Sequence, residues 1–408
     1  MKFLMYGINF SPELTGIGKY SGEMACWLTD NGCDVFSVTA YPYYPEWRRH
    51  KEYRNIFGYK SELIGNAKVI RCPLYVPSRP NSMKRIAHLL SFACTSFFAL
   101  ARLLRVKPDV IFVVQPSLFF APAALLYSYV TGAKSVMHIQ DYELDVMLGL
   151  GMVKEGVLTK FARKVEGWLM SKFDFVSTIS NSMVDRAVQK GVNKEKVLFF
   201  PNWADVTHVH PSVEFNSFKA ECGYNDNDKI ILYSGNLGKK QGLESILKVA
   251  DIFRDRSDVK FLIVGSGAHE KELKMMASDL ALPNLKFMPL QPFSKFPALM
   301  RMADLHLVIQ KIGAADALLP SKLNNILAVG GHALITADDD TELGFISKKH
   351  PGIYSLVKPE SVEDLADSVD YFLSSAPSDR NQIARRYAVD YLNIDNVMND
   401  FLCSIKQF

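Results

Sequence analysis

Pro320-Ser321-Lys322-Leu323-Asn324-Asn325-Ile326-Leu327-Ala328-Val329-Gly330-Gly331 follows an apolar run, Leu305 to Ile309, and a small-residue loop, Gly313 to Ala317. Pro320 suits the first turn of a helix, where a missing N–H has no partner to lose. Leu323, Ile326 and Leu327 recur at i, i+3 and i+4, the spacing of one buried helical face. Gly330 and Gly331 supply the stop. Strand, loop and helix in this order form one repeat of an open α/β sheet. The helix start turns free N–H groups and a positive dipole end toward the loop, which favours an anion such as a diphosphate. Ser321 adds a hydroxyl there and Lys322 a full charge. Taken alone, the stretch reads equally as an ordinary helix start.

The same repeat extends on both sides of it. Ile230 to Tyr233 reads as a strand, followed by a glycine loop with lysines, Ser234-Gly235-Asn236-Leu237-Gly238-Lys239-Lys240-Gln241-Gly242, and a helix over Glu244 to Phe253. Val259 to Val264 is the next strand, followed by Gly265-Ser266-Gly267 and a helix from about His269. Leu285 to Pro289, His332 to Thr336 and Ile353 to Val357 add strands, each followed by a helix. This is a doubly wound α/β domain, with phosphate chemistry concentrated at strand carboxyl ends. No Walker A spacing is present. Asp226-Asn227-Asp228 and Asp338-Asp339-Asp340 fit a loose metal motif, yet sit among turn residues where acidic runs are usually solvated.

Residues 1–203 repeat the plan. Lys2 to Ile8 is a strand, Lys19 to Asp30 a helix closed by Gly32, and Asp34 to Thr39 a strand. Gly16 and Gly18 lie at the strand-to-helix turn, where they serve either a tight turn or a ligand approaching the backbone. The spacing is GxG with Ser21 following, and no acidic residue ends the second strand, so dinucleotide binding of the NAD type is disfavoured. Tyr41 to His50 is a long aromatic and basic loop. Lys84 to Arg105 reads as a helix with basic ends and an apolar middle, either buried or lying on an anionic membrane surface. The uncharged run Val110 to Val130 is long enough to span a bilayer, but Pro116 and Pro122 divide it into a buried strand, a turn and a helix. Ser135 to Ile139 is a strand that delivers His138 and Asp141 to its carboxyl end. Residues 204–218 are polar and read as a linker, 219–383 as the second domain, and 384–408 as helix that joins the first.

Composition agrees. The chain has 408 residues, 48% hydrophobic and 22% charged, which supports two large cores. A net charge of +4 gives no reason to expect nucleic acid as a partner. The six cysteines lack CxxC spacing and read as free thiols of a reducing compartment. The first residues are too short for a signal peptide.

These motifs resemble glycosyltransferase family 4, with the GT-B fold, over nearly the whole chain. The resemblance rests on YGINFSPELTGIGKYSGEM from Tyr6, RCPLYVP from Arg71, HIQDYELDVMLGLG from His138, STIS from Ser177, FFPNW from Phe199, YSGNLGKKQGLE from Tyr233 and QKIGAADALLPSKLNNILAVGG from Gln310. It implies two Rossmann-like domains facing an interdomain cleft, the acceptor on the first and the nucleotide on the second, and a last helix crossing back. It implies a retaining transferase using a nucleotide-diphospho-sugar, GDP-fucose favoured, with no obligatory cofactor or metal. The implied acceptor is an undecaprenyl-diphosphate-linked oligosaccharide, with peripheral contact at the cytoplasmic face of the inner membrane. Carried over by position, His138, Asp141, Lys240 and Lys322 are the catalytic candidates. Gly16, Gly18, Gly235, Asn236, Lys240, Gly265, Gly267, Ser321, Lys322 and Glu342 are the donor-binding ones. The chain departs from the family at Ala317 and Asn325, where many members carry glutamates, with Asp316 the nearby carboxylate that would replace the first. It departs again at Asn236 and Gln241, where arginine and lysine are commoner, with Lys240 one residue earlier. A nucleotide-sugar 2-epimerase of the same architecture, or a non-catalytic docking subunit of polysaccharide assembly, are the competing readings.

Overall fold

The computed structural model describes residues 1–13, 16–78, 81–114, 118–142, 145, 156–311, 320–375 and 380–406. The chain forms two compact units, Met1–Phe200 with Phe401–Phe408, and Pro201–Asp400.

In the first unit the elements run β1 (Lys2–Tyr6), α1 (Gly16–Asp30), β2 (Asp34–Ala40), β3 (Lys60–Ile64), β4 (Ala67–Cys72), α2 (Ser82–Arg102), β5 (Val110–Val114) and α3 (Ala121–Thr131). They continue with β6 (Lys134–Ile139), α4 (Val157–Ser171), β7 (Phe175–Thr178), α5 (Asn181–Gln189) and β8 (Val197–Phe199). The sheet order is β3-β4-β2-β1-β5-β6-β7-β8, parallel except for the edge strand β3. Every residue of β5 is buried, as an apolar run covered on both faces should be. The β3–β4 hairpin is absent from the sequence reading. Its signal is the two-residue turn Gly65-Asn66 between short strands, with Gly65 at φ +57°.

The second unit runs α6 (Asn216–Glu221), β9 (Lys229–Asn236), α7 (Glu244–Ile252), β10 (Val259–Ser266), α8 (Glu270–Asp279), β11 (Leu285–Met288), α9 (Phe296–Met302) and β12 (Leu305–Val308). It closes with α10 (Ser321–Ala328), β13 (His332–Thr336), α11 (Glu342–Lys349), β14 (Ser355–Val357), α12 (Val362–Ser375), α13 (Gln382–Tyr391) and α14 (Ile394–Lys406). The all-parallel order β11-β10-β9-β12-β13-β14 reverses between β9 and β12, the place where such sheets open a crevice at their carboxyl ends. Residues 204–218, read from the sequence as a polar linker, carry Ala204, Val206 and Val209 into this unit's core. Arg385 of α13 fixes them by donating to the carbonyls of Val206 and Val209. The end of α14 belongs to the first unit, where Phe401 stacks on Phe200 at 4.4 Å.

Candidate active site

The carboxyl edge of the second sheet is built by glycine. Both β9 and β10 run past the ends expected for them, and the pairing continues through Gly235↔Gly265 and Ser266↔Asn236. These glycines are therefore strand residues rather than loop residues. A Cβ on Gly265 would lie 1.9 Å from the Gly235 carbonyl oxygen, and one on Gly267 2.3 Å from that of Leu237. Their first duty is to let two backbones touch. Gly235 itself stands at φ +156°, and a Cβ there would lie 3.5 Å from Lys322 Nζ.

Lys322 is the centre of this arrangement. It sits in the first turn of α10, whose Leu323, Ile326 and Leu327 are buried as their spacing requires. Pro320 is the residue before the helix, with extended backbone and no side-chain cap. The Lys322 stem is half-buried while Nζ is buried, lies 3.9 Å from the centroid of the Tyr233 ring, and has no hydrogen-bond partner among the described residues. Burial lowers its pKa to about 7. Tyr233 is held in turn by donating to the Asn236 carbonyl at 2.8 Å. An unpaired buried ammonium is costly, and an anion docked beside Gly235 would relieve it. Ser321 is exposed at the same helix end.

Other expected residues fall in varied places. Lys240 lies in the single turn Lys239–Gln241, and its side chain lies outside the described residues, as does Asp316. Glu342 is buried as the first residue of α11, which Thr341 caps by accepting from Gly344 N–H at 3.2 Å. Gln310 and Lys311 were missed, and Gln241 was noted only as a departure from the family's lysine. The Oε1 atoms of both glutamines are buried without a partner among the described residues, and the Lys311 stem packs against Gly242. Asp226 to Asp228 brace a turn, since Asp228 accepts from Asn225 N–H and both Asp226 and Asp228 carbonyls hold Lys219 Nζ.

In the first unit His138 lies at the carboxyl end of its strand, as expected. The ring is buried in β6 and stacked on Phe112 at 5.4 Å. Its Nδ1 meets Ser177 Oγ at 3.0 Å, and its Nε2 meets Gln140 Nε2 at 2.9 Å. The Gln140 amide donates, so the imidazole is neutral with its proton on Nδ1, and both nitrogens are occupied. Burial lowers its pKa to about 3. In this arrangement His138 braces the strand end through Ser177 and Gln140. Asp141 is half-buried just beyond it.

Gly18 also has a structural cause. A Cβ there would lie 2.6 Å from Glu13, whereas Gly16 opens α1 at φ +59° with open space around it. Glu13, which the sequence reading passed over, is buried. Its Oε1 accepts from the N–H groups of Tyr43 and Tyr44 at 3.0 Å, and its Oε2 from Asn9 at 2.8 Å. Burial pushes its carboxyl up, against those three hydrogen bonds. It ties the glycine loop to the aromatic loop. Arg71, of the RCPLYVP stretch, is fully buried and donates to Glu62 at 2.7 Å and to the Ser11 carbonyl, fixing the same loop from behind.

Comparison with known proteins now decides the family. Residues 15–203 match the glycosyl transferase 4-like domain, and residues 214–388 the glycosyl transferases group 1. The chain is 48% identical over 412 residues, covering all of both chains, to WcaI of Escherichia coli K12, which carries the provisional name of colanic acid biosynthesis glycosyl transferase. The chain is a GT-B glycosyltransferase. Solved structures agree on the fold. A sucrose-phosphate synthase from Thermosynechococcus elongatus matches with TM-score 0.74 and 14% identity, over 100% of this chain and 98% of that one. HepE of Anabaena, seen in complex with UDP and glucose, matches with TM-score 0.71 and 14% identity over all of both chains. A transferase of this kind takes its sugar from a nucleotide donor, and Lys322 Nζ beside Gly235 is a buried cation in the second unit of this glycosyltransferase.

Proposed function

We propose that this glycosyltransferase moves a sugar, with retention, from a nucleotide-diphospho-sugar to a lipid-linked oligosaccharide in assembly of a colanic-acid-like exopolysaccharide. GDP-fucose is the favoured donor, and undecaprenyl diphosphate the favoured carrier of the acceptor, at the cytoplasmic face of the inner membrane. The observation that carries the reading is the buried Lys322 ammonium facing Gly235, which has no hydrogen-bond partner among the described residues. In the reaction the bond from the anomeric carbon to the diphosphate oxygen breaks, and a bond to an acceptor hydroxyl forms on the same face. The acceptor proton passes to the departing phosphate oxygen. Lys322 and the amino end of α10 would stabilise the charge that develops on that diphosphate, an effect worth roughly 3–4 kcal/mol per donor. Full-length identity to WcaI supports the exopolysaccharide assignment.

For the acceptor, the first unit offers an open cleft of about 490 Å³ whose lining joins Trp47, Arg48 and Arg49 with Glu46, Ser78 and the apolar Leu74 and Val76. Trp47 is held at φ +50° and packs against Tyr43 and His88. Aromatic rings and guanidinium groups suit sugar and phosphate together.

The test is product formation, read by mass spectrometry, from GDP-fucose, GDP-mannose, UDP-glucose and UDP-galactose, each with and without a polyprenyl-diphosphate-linked acceptor. Transfer from a GDP-sugar that Lys322→Ala slows by about two to three orders of magnitude is expected. Conversion of the donor with no acceptor present would make the protein an epimerase. Binding of no nucleoside diphosphate would make it a docking subunit.

A further inference from the structure

The outward face of α2 is apolar along its whole length. Met83, Ile86, Leu90, Phe97 and Phe98 are exposed, Met83 by 77% and Phe98 by 61%. Their spacing follows one helical stripe, opposite the buried stripe of His88, Phe92, Ser96 and Leu103. A soluble helix of one core-facing stripe would place charges on that second face. Beside α2 packs α3, and its outward side chains include Leu126, Tyr129 and Val130, with Tyr129 exposed by 88%. Helix α3 carries no charged residue. Charge appears at the ends of the α2 stripe and has one sign, Lys84 and Arg85 at one end, Arg102, Arg105 and Lys107 at the other. Arg85 and Arg102 rest over the rings of Trp47 and Tyr59 while remaining exposed. The lone acid between residues 81 and 133 is Asp109, whose carboxylate accepts the backbone N–H of Lys2.

We infer that the α2–α3 face seats on an anionic bilayer surface. The apolar side chains enter the boundary between headgroups and acyl chains, and the basic ends meet lipid phosphates. An uncharged apolar centre with a purely cationic rim complements a plane of negative charge over apolar tails, which is the composition of an interfacial helix. At roughly 1.5 Å per residue α2 lies about 30 Å along that plane. Among the described residues no helix is long and apolar enough to cross a membrane. The inference rests on the membrane-face reading proposed above, and it does not depend on which nucleotide the second unit takes.

The experiment is flotation of the full chain with vesicles of phosphatidylglycerol and phosphatidylethanolamine, against phosphatidylcholine alone, at low and high salt. Binding to the anionic vesicles is expected. The double variant Phe98→Asp, Tyr129→Asp is expected to lower the bound fraction at least about tenfold at either salt. Lys84→Glu with Arg105→Glu is expected to weaken binding chiefly at low salt, where charge is least screened, and keeps the test sound should the first variant misfold. Both variants should retain the far-ultraviolet circular dichroism of the parent, since the side chains are exposed. The inference is overturned if the parent fails to float with anionic vesicles at low salt. It is also overturned if properly folded variants of both kinds float like the parent, or if the parent is a dimer that Phe98→Asp dissociates, since the face then belongs to a second copy.

Discussion

If the proposed diphosphate site at Lys322 holds, nucleotide binding should take up a proton. Free, its ammonium is buried against Tyr233 and its pKa falls to about 7. A diphosphate beside Gly235 would supply the missing negative charge and raise that pKa, so the bound form carries a proton the free form increasingly lacks. With a free pKa of about 7, about one molecule in ten is charged at pH 8 and about one in a hundred at pH 9. The dissociation constant should therefore rise by about tenfold per pH unit between pH 8 and 9, about 1.4 kcal/mol per decade. The last ionisation of a terminal phosphate lies near pH 6, so the ligand contributes no slope in this window. Isothermal titration with GDP and UDP, in buffers of different ionisation enthalpy, reads both the slope and the proton count. Uptake should approach about one proton per site at pH 9 by the same linkage. Lys322→Met should bind more weakly at pH 7 and show no slope above it. An affinity that stays flat from pH 7.5 to 9 in the parent, with no proton taken up, would refute the placement of a diphosphate at Lys322.

Three further outcomes follow from the packing. His306 is buried and neutral, with burial the main cause of a pKa lowered to about 3. The unfolded chain protonates it near 6.5, so its contribution is complete above that value and is lost as pH falls from 6.5 toward 3, about 2 kcal/mol by pH 5. Denaturant unfolding at pH 7 and pH 5 should show that increment removed in His306→Gln. Gly265→Ala drives a methyl into the Gly235 carbonyl; it should cost about 1–3 kcal/mol and weaken nucleotide binding more than about tenfold, read by unfolding and titration calorimetry. Glu62→Gln leaves the buried Arg71 guanidinium without its carboxylate and should destabilise the first unit by about 3 kcal/mol, visible as a lowered denaturant midpoint with unchanged slope.

Several features were legible along the chain because they are local. The uncharged run at Val110 to Val114 is a strand buried on both faces, and its sequence looks that way because no alternation is needed there. The alternation of strand and helix, with glycine at strand carboxyl ends, was enough for two doubly wound sheets. Where strands end was less legible, because Gly235 and Gly265 look like loop residues until their backbones are seen to pair.

The amino-acid sequence by itself determined which residues go inside and at which end of each sheet a ligand can approach, since periodicity and glycine placement are properties of neighbouring residues. What only the tertiary structure decided is which polar groups meet. His138 finds Ser177 on the next strand and becomes a brace. Glu13 finds the N–H groups of Tyr43 and Tyr44 across the sheet edge. Lys322 finds the Tyr233 ring and, among the described residues, no hydrogen-bond partner for its charge. Charge and hydrogen-bond state depend on burial and on partners distant in the chain, and strand register, which sets those partners, is fixed only when the whole sheet closes on its core.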